Sequence, residues 1–228
     1  MSHRSLRGSS GARWTETFDR IPDDKRRRVL DCAKRAFARR GYSGANVNEV
    51  AREAGISVGS LYQYFQTKEN LFLTLIEESH GTLTSVIDDI FARIPGFFDR
   101  IEALLHAAVE WSQKDPDLLN LYIACTTAEL APLAAKLSGN IESVAAERYA
   151  RMVSEAKRRG EIDSGVSETA TAFCLDNLFL IVQFSFGSEY YRERLGLFLG
   201  TQAARQPDAV VQGVLDFIRR ALRPASLT

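Results

Sequence analysis

The sequence predicts an all-α protein, with an amino-terminal three-helix head containing a helix-turn-helix and a larger helical body behind it. Three observations carry that prediction. From Pro22 onward, apolar residues recur at helical spacing, and no segment alternates as a half-buried strand does. Two very short apolar-striped segments meet at Gly55, and neither can bury its stripe without the other. Charge also divides along the chain. Residues 1–70 carry 14 Lys/Arg against 8 Asp/Glu, a net of +6, whereas residues 71–228 carry 15 against 21, a net of −6. The formal net charge of zero hides this basic head on an acidic body, a split that suggests a nucleic-acid module joined to another.

Composition excludes several classes. At 228 residues, 45% hydrophobic and 25% charged, the chain is long enough to bury a sizeable core and too apolar for wholesale disorder. Cys32, Cys125 and Cys174 are far apart and form no CxxC pair, which fits a reducing cytoplasm and cysteines that pack as small apolar residues. Met1 to Arg7 has charge but no apolar run behind it, so no signal peptide is expected. The most apolar stretch, Phe173 to Phe186, contains Asp176, Asn177 and Gln183, and is expected to be too short and too polar to span a bilayer.

Three domains are expected: a flexible basic arm over 1–20, a head over 21–70 and a helical body over 71–228. The arm is rich in Arg, Ser and Gly and has no periodicity. The first helix should run over 23–40, with Val29, Ala33, Ala36 and Phe37 inward and Gly41 as its left-handed cap. Asn46 can cap a short second helix, with Glu49 placed for a capping box and Val47, Val50, Ala51 and Ala54 inward. Ser57 can cap a third that turns Leu61 and Phe65 inward, and Thr67 a longer fourth through Leu71, Phe72, Leu75 and Ile76. Further helices are expected over 82–93, 97–114, 117–135, 138–159, 167–186, 189–199 and 207–222. The breaks between them fall at Pro95-Gly96, Asp115-Pro116, Ser138-Gly139, Gly160, Gly187-Ser188 and Gln206-Pro207.

The stretch from Asn46 to Phe65 carries the chemistry. In a helix-turn-helix the second helix enters the major groove and its amino-terminal residues face base edges. Those residues here are Ser57, Val58, Gly59 and Ser60, followed by Tyr62 and Gln63. Small residues allow close approach, glutamine can pair in bidentate fashion with adenine, and Val58 can meet a thymine methyl. Tyr62, Tyr64 and Lys68 suit phosphate oxygens.

The ungapped run Val50-Ala51-Arg52-Glu53-Ala54-Gly55-Ile56-Ser57-Val58-Gly59-Ser60-Leu61-Tyr62-Gln63-Tyr64-Phe65, followed by Lys68-Glu69-Asn70-Leu71, closely resembles the TetR family of bacterial regulators. Leu30, Ala33, Phe37 and Gly41-Tyr42 fit the same family's first helix, and the resemblance covers about residues 26–75. The family's usual Thr or Ser in the cap region is replaced by Ala45-Asn46-Val47, which leaves the cap but removes a threonine–phosphate contact. By resemblance, Asn46 would approach a phosphate. Ser57, Gly59, Ser60, Tyr62, Gln63 and Tyr64 would form the recognition surface, and Lys68 would hold a backbone phosphate. The resemblance further implies a homodimer, a palindromic double-stranded operator, a helical ligand domain and release from DNA when a small effector binds.

Two rival readings start from the same residues. Gly55-Ile56-Ser57-Val58-Gly59 is a literal G-x-S-x-G string, but a hydrolase elbow needs a strand before the serine, and its base would have to be His80 or His106. A DNA-binding protein without a ligand is the other. His3, His80 and His106 show no metal-ligand spacing, and no metal or cofactor is expected. Arg4, Arg7 and Arg13 of the arm are candidates for a minor groove, against a plain solvated tail.

In the body, the segments 167–186 and 207–222 are apolar over more than one face. By resemblance they form a four-helix bundle across a dimer axis, with recognition helices one DNA turn apart. A largely apolar effector is expected among the central helices. The candidate lining is Phe91, Phe98, Trp111, Tyr122, Cys125, Tyr149, Phe173 and Asn177, with Glu129 or Asp176 as a polar anchor or an ion-pair partner.

Overall fold

The computed structural model describes residues 13–125 and 130–224, without the side chains of 79, 80, 82, 83, 131, 132, 134–144 and 203. The arm residues His3, Arg4 and Arg7, the side chain of His80, and Glu129 therefore lie outside the described residues. Every described regular element is helical, in the order α1 (Glu16–Asp19), α2 (Asp23–Gly44), α3 (Val47–Ala54), α4 (Val58–Phe65), α5 (Lys68–Arg93), α6 (Phe97–Lys114), α7 (Pro116–Ala124), α8 (Ala131–Arg158), α9 (Glu168–Gly187), α10 (Glu189–Leu199) and α11 (Pro207–Leu222).

The head is built as its caps dictate. Asn46 Oδ1 accepts from the Asn48 backbone N–H at 2.9 Å, Ser57 Oγ from Ser60 at 3.0 Å, and Thr67 Oγ1 from Asn70 at 3.0 Å. Each satisfies a donor that a helix start would otherwise leave bare. Gly55 closes α3 in the left-handed conformation (φ 69°), which lets the chain turn at once into α4. The expected capping box does not form, because Glu49 binds Arg40 on α2 at 2.7 Å instead. Helix α2 runs past its expected end to Gly44, with a kink at Gly41 (φ 68°).

Three expectations about the chain path are corrected. Residues 13–20 are not a free arm: α1 buries Phe18 completely, with its ring 4.6 Å from Phe65 and 5.5 Å from Tyr64. One aromatic anchor outweighs a polar composition here, and Arg13 pairs with Glu77 at 3.1 Å. No break separates the fourth helix from 82–93; α5 is continuous, because a lone Gly81 weakens a helix without ending it. The break expected at Ser138-Gly139 falls before Ala131, since Pro132 suits a first helical turn while Gly139 is tolerated inside α8.

Two apolar cores result. One gathers α1 to α4 with the first turns of α5, and includes Leu118 and Leu121 of α7, Leu130 just before α8 and Leu133 of α8. A head boundary at residue 70 therefore cuts through both a continuous helix and a continuous core. The second core is formed by α6, α8, α9 and α11, with Ile87 of α5. Helix α9 has 20 residues and a mean hydropathy of 1.4, long and apolar enough to cross a membrane by length and composition, contrary to the reading of its shorter central run. Half of its most apolar window is buried within the protein, where α6 and α8 pack on it. Its burial is one-sided: Phe173, Cys174 and Asn177 are exposed, as are Phe217 on α11 and Tyr190, Leu197 and Phe198 on α10.

Candidate nucleic-acid interface and ligand cavity

Helix α4 turns Leu61, Tyr64 and Phe65 inward, which leaves Gly59, Tyr62, Gln63 and the following Gln66 on the outer face at i, i+3, i+4 and i+7. Asn46 and Ser57 are exposed at the adjoining helix starts, while Val58 and Ser60 are half-buried beside them. The Ser57 hydroxyl is committed to its cap and to Ser60 Oγ at 2.8 Å, and helix α3 rather than a strand precedes it, so the elbow geometry of a hydrolase is missing. A Cβ at Gly59 would meet only Ser57 Oγ, at 3.8 Å. Nothing within the chain requires glycine there, whereas an outside surface coming close to the helix would.

One expected contact residue stands elsewhere. Tyr64 is 5% exposed and belongs to the core stripe of α4, beneath Phe18, so it is not on the recognition surface. The 61–64–65 spacing carries that signal, but the resemblance masks it. Lys68 Nζ donates to the Ser43 carbonyl at 3.0 Å and lies 5.1 Å from the Tyr42 ring centre, tying the start of α5 to the α2–α3 corner. The segment before α2 also braces the recognition helix. The Thr15 backbone N–H donates to the Tyr64 carbonyl at 2.9 Å, and Thr15 Oγ1 to the Gln63 carbonyl at 2.9 Å. Arg28 Nε donates to the Ala54 carbonyl at 3.0 Å, which fixes the end of α3. Thr15 and Arg28 were not legible as site residues, because neither belongs to a local motif.

A cavity of about 360 Å³ opens between α5, α6, α7, α8 and α9. Of the candidate lining residues, Trp111, Tyr122, Tyr149, Phe173 and Asn177 meet there, joined by Ile76, Ile87, Leu118, Leu119 and Leu180. Phe91, Phe98 and Cys125 do not. Phe91 borders a separate polar hollow under the Arg100 guanidinium, Phe98 packs on Phe97 and beneath Arg219, and Cys125 packs against the head core. Burial pushes the Cys125 thiol up to about 11.

The polar part of the wall is Asp115, Arg148, Tyr149, Asp176, Asn177, Thr84, Thr169 and Gln183. Arg148 donates to both carboxylate oxygens of Asp88, at 2.7 and 3.0 Å, which holds the Asp88 carboxyl below its usual range. Asn177 Nδ2 donates to the Phe173 carbonyl at 2.7 Å. Tyr149 is buried against Phe179, and desolvation together with the Asp176 charge raises its phenol well above the ordinary value. Among the described residues no group of three or more His, Cys, Asp or Glu is placed to hold a metal ion.

Residues 29–75 match the family model described as bacterial regulatory proteins, tetR family. The HTH-type transcriptional repressor AcnR of Corynebacterium glutamicum is 37% identical over 68 residues, which is 30% of this chain and 36% of that protein. The HTH-type transcriptional regulator HbdR of Aromatoleum sp. is 32% identical over 109 residues, 45% of this chain and 46% of that protein. The matches thus span less than half the length of these curated relatives. Among solved structures, the fatty acid degradation regulator FadR from Bacillus halodurans superposes with a TM-score of 0.69 at 18% identity, over 87% of this chain and 96% of that one. FadR from Bacillus subtilis, solved in complex with stearoyl-CoA, superposes with a TM-score of 0.68 at 17% identity, over 84% of this chain and 96% of that one. The likeness of the whole chain to these structures is one of fold.

Proposed function

We propose that this chain, a TetR-family protein by its head, is a ligand-responsive repressor that binds a near-palindromic DNA operator as a homodimer and leaves it when a small, largely apolar effector enters the cavity. The observation that carries the DNA half is the outer face of α4. Its backbone is bare at Gly59, Tyr62 and Gln63 project beside it, and the whole is held on a rigid three-helix support. A glutamine on that face can read adenine, and helix starts at Asn46, Ser57 and Thr67 offer backbone N–H groups to phosphates.

The ligand half rests on the cavity, which is mostly apolar with a few converging polar groups. That FadR from Bacillus subtilis, which shares the fold, was solved in complex with stearoyl-CoA supports this reading. The cavity also favours this reading over a DNA-binding protein without a ligand. Exposed Phe173 and Cys174 on α9 and Phe217 on α11 supply apolar surface for the partner subunit. Because α5 runs from the head core to the cavity wall, an effector that prefers one setting of α5 shifts the head with it.

The test is selection of genomic fragments by the purified protein at about 150 mM salt, followed by sequencing. An enriched site with two half-sites one helical turn apart is the expected result. Uniform recovery from protein that has been unfolded and refolded to remove bound ligand would reject it.

A further inference from the structure

We propose that α10 docks on a second copy of this chain and enlarges the dimer face that α9 and α11 begin. This rests on the reading of the protein as a homodimer. None of the 11 residues of α10 is buried. The helix is held to its own chain by Tyr191, whose ring lies 5.2 Å from that of Phe184, by the Arg192 guanidinium donating to the Phe186 carbonyl at 3.2 Å, and by Leu195 against the second core. The side left open carries Tyr190, Leu197 and Phe198, exposed at 71, 86 and 75%, with the Arg194 guanidinium 5.3 Å from the Phe198 ring centre. A helix of this length is marginal in water on its own, and a contiguous apolar stripe of this kind marks a protein contact.

Position, area and charge name a second copy as the occupant. Phe184, which Tyr191 covers, stands eleven residues beyond Phe173, about three helical turns, so both lie on one side of α9. Helix α10 therefore continues, toward the end of α9, the side on which Phe173 is 69% exposed. A standard interface takes about 800 Å² from each partner, somewhat over half of it apolar, or about 450–520 Å². Phe173 and Phe217, the large exposed apolar side chains of α9 and α11, offer only about 200–330 Å² at 69 and 62% exposure. Tyr190 and Phe198 bring about 220–370 Å² more, and Leu197 and Leu199 add to it. Charge on α10 is balanced, with Glu189 and Glu193 against Arg192 and Arg194. That balance suits a two-fold contact in which each sign meets its opposite, whereas a nucleic acid or an anionic membrane calls for net positive charge.

The experiment is sedimentation velocity of the full chain from about 0.1 to 50 μM, for the unaltered protein, the double variant Leu197→Glu/Phe198→Glu and Phe217→Glu. Both α10 positions are exposed within the chain, so the double variant should fold, and melting curves check it. The expected result is a dimer whose dissociation constant rises at least about a hundredfold in the double variant, as removal of a hot spot predicts. A second measurement does not depend on that variant. With p-benzoylphenylalanine in place of Leu197, irradiation should give a covalent dimer. A double variant that dimerises as tightly as the unaltered protein overturns the proposal, as does a fall only from tetramer to dimer. So does the absence of a covalent dimer from position 197 when the same group in place of Phe217 gives one. In these cases the dimer reading stands and the α10 face is left to a different protein or to solvent. If the unaltered protein is a monomer throughout, both the proposal and the dimer reading fall.

Discussion

Lys34 Nζ lies 2.5 Å from Asp115 Oδ2, so a residue of helix α2 in the head holds a residue of the cavity wall. The same carboxylate accepts from the Leu118 backbone N–H at 3.1 Å through Oδ1, and thereby caps α7. One side chain thus fixes the start of a cavity helix, lines the cavity and grips the head. Both partners are largely screened from water, with side-chain exposures of 22% and 26%. Their separation helps the ion pair more than it would in an exposed setting.

Lys34→Met and Asp115→Asn should each lower stability by about 1–2 kcal/mol, between the values for exposed and buried pairs. Urea unfolding of both single variants and the double variant measures this. Additive losses would show that the two groups act independently.

Gly59→Ala separates folding from DNA binding. The new methyl meets nothing closer than 3.8 Å, and alanine is the better helix former, so stability should hold or rise by up to about 1 kcal/mol. Operator affinity should fall at least about tenfold, because the methyl occupies the space where the helix meets DNA. Unchanged operator affinity would remove Gly59 from the interface.

Gln63→Ala should cost about 1–3 kcal/mol on the selected operator and relax preference at one base pair of each half-site. Binding of every point-substituted operator measures it. A uniform loss across all sequences would make Gln63 a backbone contact instead.

Phe18→Ala should destabilise the protein by about 3–5 kcal/mol, the usual cost of emptying a fully buried phenylalanine site. Denaturant unfolding is the check. A loss below about 1 kcal/mol would mean that residues 13–20 are the loose arm their composition suggests.

Stability should fall as pH rises above about 9. Burial raises the Cys125 thiol from 9.0 to about 11, and Tyr42 and Tyr149 shift in the same direction. For a group raised in the folded state, the native protein holds a proton that the unfolded chain has already released. The Cys125 contribution is therefore complete below 9 and is lost between 9 and 11. Cys125→Ala should flatten the pH dependence of the urea midpoint in that window, and an unchanged slope would contradict the assignment.

The head was largely legible because its signals are local. Asn46, Gly55, Ser57 and Thr67 sit where caps and turns demand them, and the three side-chain caps form, Asn46 on Asn48 rather than in the expected box with Glu49. Tyr64 belongs to the inward 61–64–65 stripe of α4, a periodicity that the family resemblance overrides in the sequence. Residues whose roles depend on distant partners left no local trace: Thr15 beneath α4, Arg28 on Ala54, and Lys34 on Asp115. For the cavity, the sequence offers only apolar and aromatic character with a few polar residues, which Trp111, Tyr122, Tyr149, Phe173 and Asn177 of the wall share with Phe91, Phe98 and Cys125, which pack elsewhere. Which side of an amphipathic helix faces a void rather than a core depends on how five helices cross, and no single segment encodes that.

The proposed repressor depends first on the outer face of α4 reading a particular DNA sequence. Fluorescence-anisotropy titration at about 150 mM salt tests it most directly, with the selected fragment set against a scrambled duplex of the same length and composition. The prediction is that the selected fragment binds at least about a thousandfold more tightly. Equal affinity for the two duplexes would contradict it.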